Sequence, residues 1–270
     1  MAAEAPKFVY RQIKFAFTLS ELIVVCIAAF AAGFIDAVVG GGGLVQTPVM
    51  LITFPQAPVA SLLGTVKIPS FCGTAVSAYA YSRRIDIRWR LVLWVALAAF
   101  MAAMAGSYMV SVLNNAVLKP IILVVLLVVA VFTYTRKNLG QQHAEIPFSA
   151  ALWRGIIAGL LIGFYDGFIG PGTGSFLVLV FITIIGHDFM HASAHAKLVN
   201  LSTNLASIIY FGSTGHILFH LALPMAVCNM AGGWLGTRLA LLKGNRFIRY
   251  FFLAVVAGTM IRFAYDIFFR

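Results

Sequence analysis

Apolar runs long enough to cross a bilayer, about 17–25 residues, recur from residue 20 to the end of this 270-residue chain. No other sequence feature narrows the fold as far. Hydrocarbon offers backbone N–H and C=O groups no water, so only helices and closed barrels span it. A transmembrane barrel shows short segments of alternating hydrophobicity, and these runs do not alternate. The expected fold class is therefore an all-α polytopic membrane protein with the lipid bilayer as its surroundings. Composition agrees, with 61% hydrophobic and 10% charged residues against roughly 45–50% and 25% in soluble domains. The net charge of +11 does not point to nucleic acid. Lys and Arg fall mostly between the apolar runs, where they set orientation, and no stretch is large enough for a nucleic-acid reading domain.

The chain divides into a surface segment at 1–19, a first transmembrane repeat at 20–134, a polar linker at 135–152 and a second transmembrane repeat at 153–270. Lys7, Arg11 and Lys14 ahead of an apolar stretch imitate a secretory signal. Cleavage near Ala29-Phe30-Ala31 would fall just before a motif that has a twin later in the chain, so a retained start-transfer helix is the better expectation. Cys26, Cys72 and Cys228 all lie in apolar runs without C-x-x-C spacing, and read as small buried hydrophobes.

The twin motif is G-F-x-D-x-x-x-G-x-G, at 33–42 around Asp36 and at 163–172 around Asp166. The offset is 166 − 36 = 130 residues. At that offset Lys67 meets Lys197, Ser77 meets Ser207, Gly106 meets Gly236 and Lys119 meets Arg249. A gapless register of this extent reads as a tandem duplication. After each glycine cluster comes an apolar run, 44–54 and 174–185, too short for an ordinary span. Eight full transmembrane helices in parallel halves result if these runs are re-entrant, and up to ten in inverted halves if they cross. The distribution of Lys and Arg supports both arrangements almost equally, and the short runs tilt the expectation toward eight.

Short, Gly-interrupted apolar segments at matching positions of two halves point to a transporter's substrate site. Helix N-termini exposed there bind anions through free N–H groups and the helix dipole. Lys67 and Lys197 lie inside apolar runs, and a buried ammonium needs a partner. That partner is Asp36 and Asp166, or an anionic substrate. The same carboxylates are candidate proton carriers. Asn200, Ser202, Thr203 and Asn204 extend a polar stripe beside Lys197. His187, His191 and His195 recur at i, i+4 and i+8, spacing that could ligate a metal and that carries the rival reading, an integral-membrane metal-dependent enzyme. No G-x-x-x-x-G-K-[ST] run occurs, so ATP drive within this chain is not expected.

G-F-I-D-A-V-V-G-G-G-G at 33–43, G-F-Y-D-G-F-I-G-P-G-T-G-S-F at 163–176, A-H-A-K-L-V-N at 194–200 and G-x-x-L-G-T-R at 232–238 resemble the TauE/SafE family, also called sulfite exporters. The resemblance implies a two-repeat transporter of the inner (plasma) membrane. It would move small sulfur-containing organic or inorganic anions, commonly outward, without enzymatic activity. No cofactor is expected, and a homo-oligomer is left open. Carried over by position, the site residues are Asp36, Gly40, Gly42, Asp166, Gly170, Pro171, Gly172, Gly174, His195, Lys197 and Asn200, and Lys67 joins them as the twin of Lys197. The halves differ at Thr65 against His195 and at Pro69 and Ser70 against Val199 and Asn200, which argues against two equivalent sites.

Overall fold

The apolar runs fold into helices, as backbone groups without water must. The computed structural model describes residues 17–114, Leu118 and 146–269, with side chains beyond 244 only at Phe247. The segment before 17 and the apolar run at 118–134 fall outside the described residues, apart from Leu118. So does the linker from 135 to 145. Among the described residues there are eight helices and no strands. These are α1 (Leu19–Val39), α2 (Gly43–Thr53), α3 (Val59–Ser82), α4 (Trp89–Val112), α5 (Phe148–Phe168), α6 (Thr173–Thr183), α7 (Phe189–Ser213) and α8 (Phe219–Phe269). Helix α5 begins inside the stretch assigned to the linker. In α8 the backbone turns at Gly244, with φ 70° and ψ −167°, so two helices join there at a kink.

Helices α1, α3, α4 and α5 are each long and apolar enough to cross a membrane. Large apolar side chains such as Leu93, Leu97, Met101, Trp153 and Leu161 stay exposed on them, as a lipid-facing surface requires. Helix α1 starts with a capping box. The Thr18 hydroxyl accepts from Glu21 N–H at 3.3 Å, and the Glu21 carboxylate accepts from Thr18 N–H at 2.7 Å. Pro48 lies within α2 instead of ending it. Helix starts repeat at the sequence offset of 130: Gly43 and Thr173, Val59 and Phe189, Trp89 and Phe219 (173 − 43, 189 − 59, 219 − 89).

Side-chain neighbours fix the relative directions. Phe17 stacks on His220, and Gly232 and Gly236 pack against Phe30, Phe34 and Ala37, so α8 runs parallel to α1. Gly64 lies by His216 and Gly73 by Asn229 and Gly233, so α3 shares that direction. Arg88, which precedes α4, and Ala96 and Ser107 on it bond to His195, Ser202 and Ser207 on α7. Val95, Ala99 and Ala103 meet Gly159, Gly163 and Gly167 of α5. Helices α4, α5 and α7 are therefore parallel to one another. They oppose the first set, because Gly64 meets Phe211 whereas Tyr81 meets Lys197. Each helix thus opposes its counterpart 130 residues away. The short helices double back along their predecessors. Met50 and Phe54 of α2 cluster with Val25 and Ala29 of α1, and Tyr165 of α5 packs on Phe176 of α6. Of the two arrangements the sequence leaves open, these directions fit the inverted one. A run of 11 residues is short, but it turns the chain round, and the direction of everything after it is reversed.

Candidate functional site

The two doubled-back hairpins, α1–α2 and α5–α6, arrive from opposite directions and meet at their tips. Glycine makes the meeting possible. Gly40 ends α1 in the left-handed region at φ 81°, and a Cβ there would enter the backbone of Gly174. A Cβ on Gly174 would in turn enter the backbone of Gly40. Two bonds fasten the joint. Ser175 N–H donates to Gly40 O at 2.9 Å and Ser175 Oγ donates to Val39 O at 3.1 Å. Helices α2 and α6 begin at Gly42 and Gly172, and neither receives a side-chain cap.

The lysines cross between the halves. Lys67 on α3 donates through Nζ to Asp166 O at 2.6 Å and to Asp166 Oδ1 at 3.0 Å. Lys197 on α7 donates to Asp36 O at 2.5 Å and lies over the Tyr81 ring. Each ammonium thus sits at the C-terminal end of the other half's broken helix, where the dipole favours a cation. The carboxylates differ. Asp166 is 2% exposed, with Oδ1 on Lys67 and Oδ2 buried without a hydrogen-bond partner. Asp36 is half-buried, and its Oδ2 accepts from Thr74 Oγ1 at 3.1 Å instead of from a lysine. The formal charges of the two lysines and two aspartates cancel.

A cavity opens between the tips, with about 30 Å³ of room for the centres of water-sized molecules. A single water needs roughly 10–15 Å³ by that measure, so the space suits a solute of a few heavy atoms. Of the residues singled out in the sequence, Asp36, Gly40, Lys67, Asp166, Gly170, Gly172, Gly174 and Asn200 line it together. Gly42 packs behind it, against Ala32 and the Asp36 Cβ. Lys197 stands behind Asp36. Thr47, Ser70, Thr173 and Asn204 also line the cavity. Of these, Asn204 belongs to the polar stripe beside Lys197 and Ser70 is the counterpart of Asn200 at offset 130, while Thr47 and Thr173 carry no signal beyond their place just after a glycine cluster.

His195 does not face the cavity. Its Nε2 accepts from Arg88 N–H at 3.1 Å and its Nδ1 donates to His191 O at 2.7 Å. Those two bonds fix the neutral Nδ1–H tautomer and occupy both nitrogens, so His195 has none to offer a metal. The ring sits among Phe181 and His187 at the start of α7, tying that helix to the α3–α4 turn. Asp188 caps α7, accepting from Met190 N–H at 2.8 Å and His191 N–H at 3.0 Å. Burial pulls the Asp188 carboxyl upward, but the His191 and Met190 donors outweigh it and hold the group below its usual range. Among the described residues no three His, Cys, Asp or Glu side chains are grouped to hold a metal ion. His191 Nδ1 bonds to Asp188 Oδ2 at 2.8 Å beside the α7 cap, and His195 docks that helix on the α3–α4 turn.

A family model described as sulfite exporter TauE/SafE matches residues 25–263. The chain is 34% identical over 243 residues to the probable membrane transporter protein ORF9 of a Sinorhizobium species, covering 89% of this chain and 91% of that protein. It is 34% identical over 232 residues to a probable membrane transporter protein of Haemophilus influenzae, covering 84% and 88%. It is 32% identical over 259 residues to the probable membrane transporter protein YfcA of Escherichia coli, covering 93% of each. No solved structure matches the chain.

Proposed function

The chain belongs to the sulfite exporter TauE/SafE family of membrane transporters, and from that premise we propose that it carries a small oxyanion through the cavity between the hairpin tips. Sulfite, a sulfonate or a related sulfur-containing anion is the substrate class we favour, moved outward across the plasma membrane. One observation carries the anion reading. Two helix N-termini without side-chain caps, α2 and α6, open on one small cavity beside a buried lysine. The positive dipole ends favour negative charge there. Half-helix N-termini aimed at an anion near the midplane are a recurrent device of secondary transporters.

We read the halves as a tandem duplication in inverted orientation, with the α1–α2 and α5–α6 hairpins each turning back at its tip. Inverted halves exchange roles as a transporter alternates its access. In this state the Lys67 side is clamped and buried, while the Asp36 carboxylate is half-exposed and free of its lysine. The opposite state follows by exchange: Lys197 takes the Asp36 carboxylate and Lys67 releases Asp166. A proton fits the same scheme. The site is formally neutral, so an anion entering it leaves a net negative charge in a medium that penalises charge. Protonation of a released aspartate cancels that charge.

Two measurements test this. Purified protein heated with sulfite, methanesulfonate, sulfate and acetate in turn is expected to gain stability with at least one. A ligand at 100 times its Kd adds about 2.7 kcal/mol. Silence across the panel sinks the anion reading. In proteoliposomes, the Asp36→Asn/Asp166→Asn double variant is expected to lose the pH dependence of any residual uptake. Retention of the full wild-type profile removes the proton from the mechanism.

A further inference from the structure

Asn200 and Asn204 lie one turn apart on α7, and both line the cavity. Resting on the anion reading above, we infer that Asn204 is a positioning residue. It turns the Asn200 side-chain amide so that N–H donors face the cavity, and so sets the preference for an anion over a neutral solute of the same shape. The hydrogen-bond network assigns the orientation without appeal to any ligand. Asn200 O is a backbone carbonyl and can only accept. The Asn204 side-chain atom 2.8 Å from it is therefore the amide nitrogen, Nδ2. That same nitrogen lies 3.1 Å from the Asn200 side chain, so the atom facing it there is the acceptor, Oδ1. The planar amide then places Asn200 Nδ2 at the opposite corner, with both its N–H groups left for the cavity.

The arrangement is locked from two sides. Thr203 Oγ1 also donates to Asn200 O, at 2.9 Å. With the α-helical bond from Asn204 N–H counted as well, that carbonyl meets three donors and has no lone pair to spare for the Asn200 amide. Both asparagines are buried, which leaves the Asn200 amide no bulk water to turn toward. The equivalents 130 residues earlier are Ser70 and Thr74, hydroxyls that donate and accept with equal ease. The Thr74 hydroxyl is already committed to Asp36. Only the second half presents a donor whose polarity is fixed by a neighbour. A carboxamide with its carbonyl inward would repel an oxyanion. The same group with N–H inward binds one, and a hydrogen bond to a charged partner is stronger than one between neutral groups.

The test compares methanesulfonate with its neutral isostere methanesulfonamide, each titrated into the purified full-length protein. Wild type is expected to prefer the anion. Asn204→Leu keeps similar bulk but frees the Asn200 amide to rotate. It should weaken methanesulfonate by about tenfold or more, the scale of a lost charge-assisted bond, and change methanesulfonamide less, by about two- to tenfold, the scale of a neutral pair. Asn204→Asp replaces the donor by an acceptor, which attracts Asn200 Nδ2 and turns its carbonyl inward, so the preference should narrow further or reverse. Parallel losses for both ligands in both variants would mean that Asn204 only supports the helix, and would overturn the inference. So would an unchanged preference, or a wild type that does not discriminate the pair. If wild type responds to no anion in the wider panel, the anion reading itself fails, and that result is seen without any variant.

Discussion

Replacing Lys67 by methionine is expected to destabilise the protein by about 3–5 kcal/mol, the cost of leaving a buried charge without its partner. Asp166 is 2% exposed and has no other ion-pair partner among the described residues. The substitution also uncaps the end of α5, since Lys67 Nζ donates to Asp166 O as well. Transport is expected to vanish. The Lys67→Met/Asp166→Asn double variant removes both charges and should recover most of the lost stability, because a buried pair replaced on both sides is often near neutral. It should remain inactive if the pair takes part in substrate movement. Lys197→Met is expected to cost less. Lys197 donates to the Asp36 carbonyl and lies over the Tyr81 ring, and the half-exposed Asp36 carboxylate keeps Thr74. Unfolding of the three purified variants by heat or denaturant decides the matter. Equal losses for Lys67→Met and Lys197→Met would show that the two crossings are equivalent in the resting protein, against the one-sided state described above.

Gly174→Ala is the second substitution with a large expected effect. Its Cβ would enter the Gly40 backbone at O, Cα and C. A flexible side chain could move aside, but this obstacle is main chain, held by the Ser175 bonds to Gly40 O and Val39 O. Overpacking a well-packed interior costs about 1–3 kcal/mol, and separating the two tips should add the loss of those bonds and of the cavity between them. We expect no transport and no stabilisation by any anion. Gly212→Ala is the control. Its nearest neighbour is Ile217 Cδ1 at 3.7 Å, ordinary contact, so folding and uptake should both survive. Uptake by Gly174→Ala at a level near that of Gly212→Ala would mean that the tips separate without harm.

Both the glycine clusters and the residues at offset 130 were legible, because glycine and charge are conspicuous in apolar sequence. The partners were not. A repeat offset matches Lys67 with Lys197 and Asp36 with Asp166, and it says nothing about which aspartate either lysine touches. Inversion was hidden for a different reason. The basic residues balance almost equally between the two topologies, and only the way α2 doubles back along α1 separates them. His195 was placed in the site by its position in the A-H-A-K-L-V-N stretch. Two residues along a helix are roughly 200° apart around its axis, so His195 and Lys197 cannot present one face. Asn200 and Asn204, three and seven residues after Lys197, can. Thr47 and Thr173 escaped notice because a lone hydroxyl in an apolar helix looks like any interhelical bond.

The crossing of the lysines also dates the site in the life of the chain. Lys67 leaves the ribosome 99 residues before Asp166. At about 5–20 residues per second it then waits roughly 5–20 s for its counter-charge. The Asp36 carbonyl waits longer still for its donor, a lysine 161 residues downstream. The early half is therefore complete while Lys67 still lacks its counter-charge. Synthesised as two separate polypeptides, the halves should be short-lived alone and persist together.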